Sequence, residues 1–314
     1  MKNIIKTVVK KNKVNFFLLR KKIYNFTSEN SFHYSESFSY QWSKFKKIQL
    51  DSYTNIPLSY NRLIENTKWK LNKLKNKTVL EVGSGAGRFT EIFSKTNCYL
   101  FTMDSSNAIK VNYENNKKNI KKIFFIKNEI ENDIFKENAF DYIFCYGVIQ
   151  HTQNPFLTLD ILINKIKING KLSVDFYRKL KYPAWYSTPK YLWRPITKRI
   201  NKEILYKIIK FYIPIYLPID TFFKKIFKKF STPICGLVPI PCWNYYNIGL
   251  NSNLNIKWSI LDTFDALSPR YDYPLTKKEI ENHLKKFKNI DYTLHYGSNG
   301  IVLNLTKFKN YKKN

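Results

Sequence analysis

Val79-Leu-Glu-Val-Gly-Ser-Gly-Ala-Gly-Arg-Phe-Thr90 is the stretch on which the reading of this chain turns. A strand-like apolar run, Thr78 to Val82, meets glycines at positions 83, 85 and 87, and a helical pattern starts at once, near Gly87–Lys95. Glycine allows the backbone to approach a ligand closely, and a helix N-terminus presents unpaired N–H groups to an anion. Several cofactors use this architecture. The dinucleotide fingerprint G-x-G-x-x-G, begun at Gly83, would need glycine where Arg88 stands.

Working outward, the runs Cys98 to Asp104, Ile123 to Ile126, Tyr142 to Tyr146 and Lys171 to Tyr177 read as further strands. Helical patterns lie between them, near Asn107–Asn116 and Pro155–Ile168, with Gly170 as the expected helix stop. A final unit follows, with a helix near Thr276–Phe287 and strands near Asp291–Tyr296 and Ile301–Leu305, joined through Gly297-Ser-Asn-Gly300. Strands alternating with helices predict an α/β, doubly wound parallel sheet.

Acidic residues recur at the ends of the first three strands. Glu81 stands two residues before Gly83, and Asp104 closes the second run. A carboxylate at Asp104 can accept both hydroxyls of a ribose, a charge-assisted pairing stronger than neutral hydrogen bonds. A dehydrogenase places an acid similarly, so Asp104 alone does not choose between cofactors. Glu129-Ile130 follows the third run and precedes the block Ala139-Phe-Asp-Tyr-Ile-Phe-Cys-Tyr-Gly-Val-Ile-Gln-His151.

The pattern Glu81-Val-Gly-Ser-Gly-Ala-Gly87 resembles motif I of class I S-adenosylmethionine-dependent methyltransferases, and the later acids fall at that family's intervals. The resemblance implies a seven-stranded sheet with an N-terminal aromatic segment and a mostly helical insertion. It implies S-adenosylmethionine as cofactor, with Glu81 and the loop Gly83, Ser84, Gly85 and Gly87 at its amino-acid end. Asp104 and the neighbouring Ser105 would hold the ribose. Glu129 would take the adenine amino group, with Asn128 as the one-residue alternative. Ile130 would give its backbone N–H to the ring, and Tyr146 would complete the lining. The likeness extends to a bacterial group with an aromatic segment, Phe38-Ser-Tyr-Gln-Trp42, and a late block, Asp262-Thr-Phe-Asp-Ala-Leu-Ser-Pro-Arg-Tyr-Asp272. From these, Tyr40, Gln41, Trp42, Arg270, Tyr271 and Asp272 are candidate substrate contacts. His151, after the fourth strand, is the candidate general base for an oxygen acceptor, since imidazole titrates near neutrality.

The same comparison excludes two chemistries. Enzymes that methylate adenine or amide nitrogen carry N/D-P-P-Y/F after the fourth strand, where this chain has Cys145-Tyr-Gly-Val148. Cytosine C5 enzymes need a Pro-Cys nucleophile there, whereas Pro241-Cys242 falls far downstream. The expected acceptor is a small molecule, glycan or lipid. The alternatives are RNA or DNA held by the basic surface, or a non-catalytic module that binds cofactor and a protein partner.

Charge bears on that choice. The formal net charge is +31, from 54 Lys and Arg against 23 Asp and Glu. Basic chains attract polyanions, yet lysine supplies nearly all of this charge, and arginine forks suited to phosphate are scarce. Abundant Asn, Ile, Tyr and Phe accompany the lysine, as A/T-rich coding would produce. Cys98, Cys145, Cys235 and Cys242 form no C-x-x-C pair and the histidines are scattered, so no metal is expected. Cys98 and Cys145 read as core residues. The expected location is cytoplasmic, with the inner face of a membrane as an alternative.

Four segments are expected. They are a basic lead-in over 1–60, the cofactor-binding core over 61–177, a helical insertion or lid over 178–262, and an α/β unit over 263–314 that completes the sheet. Within the insertion, Phe222, Phe223, Ile226, Phe227 and Phe230 fall on one helical face, with Lys224, Lys225, Lys228 and Lys229 opposite. That face reads as a lid packed on the domain or as a contact with an anionic membrane surface. The longest apolar run, Phe211 to Ile219, contains two prolines and is too short to span a bilayer.

Overall fold

The computed structural model describes residues 2–18, 22–27, 36–180, 188–227 and 239–309. Lys228, Lys229, Phe230 and Cys235 lie outside the described residues. The described strands are β1 (Tyr24–Asn25), β2 (Thr78–Val82), β3 (Tyr99–Asp104), β4 (Ile123–Lys127), β5 (Phe140–Cys145), β6 (Ile166–Phe176), β7 (Ile290–Gly297) and β8 (Gly300–Lys307). They form one sheet in the order β1-β4-β3-β2-β5-β6-β8-β7. Pairing is parallel from β1 to β6, and β8 enters antiparallel between β6 and β7.

Eight strands rather than seven are present, because the lead-in contributes β1, which pairs with β4 through Tyr24↔Ile126 and Asn25↔Lys127. Two residues in a lysine- and phenylalanine-rich context carry no periodicity to read. The central strands are legible for the opposite reason. All five residues of β2 are buried. Leu80 and Val82 pack with Phe101, Met103 and Ile143, while Val79 joins a second cluster with Leu100, Phe125 and Phe144. A strand covered on both faces reads as a continuous apolar run.

From β2 the chain moves one way to β3 and β4, then returns to build β5 and β6 on the other side. The order reverses between β2 and β5. A crevice at the carboxyl ends of the strands beside such a reversal is where open α/β sheets bind ligands.

One expected helix stop is corrected. The helix Pro155–Lys165, capped by Asn154 Oδ1 on the N–H groups of Phe156 and Leu157, passes directly into β6. Gly170 lies inside that strand. A Cβ there would stand 2.9 Å from Lys167 O and 3.0 Å from Phe140 O. The glycine therefore permits a close backbone approach where the β5–β6 register shifts between Phe140 and Tyr142.

The chain divides into two compact units. The first comprises Met1–His33, Pro57–Arg178 and Tyr271–Asn314, and it carries the sheet; the second comprises Tyr34–Ile56 and Lys179–Arg270. These differ from the four expected segments. No boundary falls between residues 262 and 263, because the helix Ser252–Leu267 runs through it and buries Leu261 and Phe264 on successive turns. The lead-in is likewise shared between the units. The proline-punctuated stretch is one helix, Lys202–Phe227, continuous through Pro214 and Pro218. Both prolines occupy exposed positions, where carbonyls lacking an intrahelical donor can be hydrated.

Candidate cofactor site

The glycine loop is shaped by close approach. Gly83, Gly85 and Gly87 have φ of 68°, 54° and 91°, in the left-handed region that favours glycine. A Cβ on Gly83 would stand 2.0 Å from Val148 Cγ2, and one on Gly87 would stand 2.1 Å from Asn112 Oδ1. The loop is also tied to β3. Gly83 and Ser84 donate their N–H groups to Met103 O at 2.8 and 3.0 Å. Gly85 donates to Asp104 Oδ2 at 2.8 Å. These loop N–H groups are thus engaged within the protein. Their bonds hold the loop against β3.

The three strand-end acids and their neighbours occupy adjacent parallel strands in the order β4-β3-β2. Glu81 is buried and accepts the Thr90 hydroxyl at 2.5 Å. Thr90, Thr102 and Asn112 bond one another around it. Burial pushes the Glu81 carboxyl up to about 7. Asp104, also buried, accepts the Ser106 N–H and hydroxyl on Oδ1 and Gly85 on Oδ2. Burial raises this carboxyl too, against those hydrogen bonds. Ser105, beside it, is half-buried.

After β4, Asn128 spends its side chain on closing the loop. Its amide donates to Asn132 O at 2.8 Å and accepts from Asn132 Nδ2 at 2.9 Å. Glu129, half-buried, has its carboxyl raised by burial and by Glu131. Ile130 is buried in the core cluster. Two buried polar atoms of this edge, Ser84 Oγ and Glu81 Oε1, have no hydrogen-bond partner among the described residues. Such atoms, with carboxylates at successive strand ends, suit a ligand that carries hydroxyl and ammonium groups.

The ends of β5 and β6 form a second cluster. The Tyr146 hydroxyl lies 2.8 Å from Ser173 Oγ, its ring stacks on Phe144, and burial pushes its phenol up. Gly147 donates its N–H to Asp175 Oδ1 at 2.5 Å. Asp175 Oδ2 accepts from Arg62 at 2.7 Å and from Asn299 at 3.1 Å. Asp175 closes β6 much as Asp104 closes β3, and that recurrence was the available signal. Arg62 and Asn299 approach from distant segments and gave none.

His151 is buried, with Nδ1 2.8 Å from Tyr271 O. As donor to that carbonyl, Nδ1 carries the proton and Nε2 is the basic nitrogen. Tyr273 N–H bonds Gln150 O, so the chain over residues 271–273 runs beside the turn that follows β5. Tyr271 and Asp272 are both half-buried.

Tyr40, Gln41, Trp42 and Arg270 belong to the second unit. Tyr40 packs against Tyr206 and Phe264, with Lys44 Nζ 5.3 Å from its ring. Gln41 is buried, Trp42 half-buried and Arg270 exposed. Cys98 and Cys145 are buried in the first unit's core.

Residues 73–212 match a family model described as a methyltransferase domain. The tRNA U34 carboxymethyltransferase of Helicobacter acinonychis (strain Sheeba) is 29% identical over 140 residues, covering 42% of this chain and 50% of that protein. The enzyme of the same name from Ruthia magnifica subsp. Calyptogena magnifica is 29% identical over 133 residues, covering 41% and 40%. The chain thus spans half or less of the length of these curated relatives. Among solved structures, magnesium protoporphyrin IX methyltransferase from Synechocystis PCC 6803, with bound SAH, aligns at TM-score 0.49 and 11% identity, covering 87% of this chain and 97% of that one. Over residues 73–212, which carry the glycine loop and β2 to β6, the chain is thus similar to a methyltransferase domain.

Proposed function

We propose that the chain transfers a methyl group from S-adenosylmethionine to a small-molecule, glycan or lipid acceptor, at oxygen. The observation that carries this reading is the alignment of Glu81, Asp104 and Glu129 at the ends of three neighbouring parallel strands beside the glycine loop. S-adenosylmethionine supplies, when bound, an electrophilic methyl on a sulfonium. The residues hold and orient it. Asp104 and Ser105 accept the ribose hydroxyls. Glu81, Gly83, Ser84, Gly85 and Gly87 form the amino-acid end, with Ser84 Oγ and Glu81 Oε1 as its polar contacts. Glu129 and the Ile130 N–H read the adenine, and Tyr146 walls the side toward β6.

His151 takes the acceptor proton through Nε2, with Tyr271 O holding the ring in the needed tautomer. Tyr271 and Asp272, on the chain beside His151, contact the acceptor. Alignment of acceptor and methyl supplies most of the acceleration, for which well-oriented reactants provide roughly 7–11 kcal/mol.

A second reading is methyl transfer to tRNA, favoured by the similarity to two tRNA U34 carboxymethyltransferases and by the +31 charge. The test incubates the purified chain and methyl-labelled S-adenosylmethionine with extracted lipids, with glycans and with total tRNA, and follows label and S-adenosylhomocysteine. Label in lipid, glycan or a small molecule supports the first reading. Label in tRNA, with affinity falling steeply as salt rises, replaces it with the second. Cofactor binding with no turnover on any fraction leaves only a binding module.

A further inference from the structure

The helix Lys202–Phe227 has two apolar faces. Leu205, Ile209, Ile213 and Leu217 are buried. On another face Ile204, Ile208, Phe211, Ile215, Ile219 and Phe222 recur every three or four residues, and each is 47 to 74% exposed. Residues at that spacing share one side of a helix. An ordinary surface helix covers one stripe and turns polar side chains to water, so a second exposed stripe marks a contact surface. The same unit also exposes Trp193 and Ile196 from the helix Lys190–Thr197.

Charge points to the occupant. The long helix carries five lysines against Glu203 and Asp220. Asp220 is buried and paired with Lys224 at 2.9 Å. Lys207 stands four residues before Phe211, and Lys225 three after Phe222, so both border the stripe. Basic side chains edging an exposed row of isoleucine and phenylalanine suit an anionic lipid surface, with aliphatic groups entering the interface and ammonium groups meeting headgroups. A second copy would bring up another chain of +31. Among the described residues no helix is long and apolar enough to cross a membrane. We propose that the exposed stripe of this helix docks the protein peripherally on an anionic membrane, with the helix lying in the headgroup plane.

The test is flotation of the full chain with phosphatidylcholine vesicles, with and without phosphatidylglycerol. The chain should float only with the anionic vesicles and be released as salt rises. Phe211→Ser/Ile215→Ser should weaken binding by about tenfold or more, since lost apolar insertion lowers interfacial affinity. Lys207→Glu/Lys225→Glu leaves the apolar stripe intact and should also weaken it, which keeps the test decisive if the first variant does not fold. Affinity for S-adenosylhomocysteine, unchanged in either variant, reports intact folding and is independent of the docking result. Absence of flotation, salt-insensitive flotation, or flotation unchanged in both variants overturns the proposal. A lipid-free dimer that the serine variant dissociates also overturns it and assigns the stripe to a second copy.

Discussion

Gly85 donates its backbone N–H to Asp104 Oδ2 at 2.8 Å, so the glycine loop after β2 and the acid that ends β3 hold each other in place. The carboxylate read as a ribose acceptor is therefore also a strut for the loop. Its other oxygen is fixed by Ser106. The bond joins two residues whose spacing pointed to the cofactor, and it makes their contributions interdependent.

Gly83→Ala should lower stability by about 1–3 kcal/mol, because φ is positive and the new Cβ would clash with Val148 Cγ2. Val148→Ala in the same chain should recover part of the loss, by removing the clash but not the strain. Denaturant unfolding of the two single variants and the double variant measures this. Strict additivity would contradict the clash.

Glu81 gives a signed pH dependence. Its carboxyl rises from 4.5 to about 7 on folding. Between those values the native state binds the extra proton, so this group's stabilisation is fully present below about 4.5 and is lost as pH rises through 7. The loss is on the order of 3 kcal/mol at most. Glu81→Gln should remove that slope from the unfolding free energy. A slope unchanged in the variant would assign the pH dependence to other groups.

Arg62 and Asp175 should behave asymmetrically. Asp175 is almost fully buried, whereas the Arg62 side chain is 20% exposed. Arg62→Met leaves a buried carboxylate with only the Gly147 and Asn299 donors, at a cost of about 3 kcal/mol. Asp175→Asn should cost less, because the guanidinium keeps access to water. The double variant should cost less than the two single changes combined. Thermal or denaturant unfolding of the full cycle reports the coupling.

His151→Asn should reduce kcat on an oxygen acceptor by about a hundredfold or more, the usual worth of a positioned base, with little effect on cofactor affinity. In the wild type the acid limb of the rate profile should report a single imidazole, and the variant should lack it. An unchanged profile would leave His151 a packing residue.

How much of this was legible depends on how local each signal is. The strands ending at Val82, Asp104 and Lys127 announced themselves because both faces of the sheet are covered and the runs are continuously apolar. The glycine loop and its acids lie within one stretch of chain, so spacing alone brought them together. Tyr24–Asn25 was too short to show a period. The register shift that makes Gly170 part of β6 arises only when β5 is alongside. Arg62 and Asn299 reach Asp175 across 113 and 124 positions of chain, a separation no motif spans. The helix Lys202–Phe227 was obscured by its two prolines, which are tolerated because they face water.

Calorimetric titration of S-adenosylhomocysteine into the wild type and Asp104→Ala tests the central claim most directly. The wild type should bind it in preference to a nicotinamide dinucleotide. The variant should bind at least about tenfold more weakly, a loss of about 1.4 kcal/mol. Equal affinity in the two proteins, or uptake of the dinucleotide by a wild type that ignores S-adenosylhomocysteine, would contradict the account.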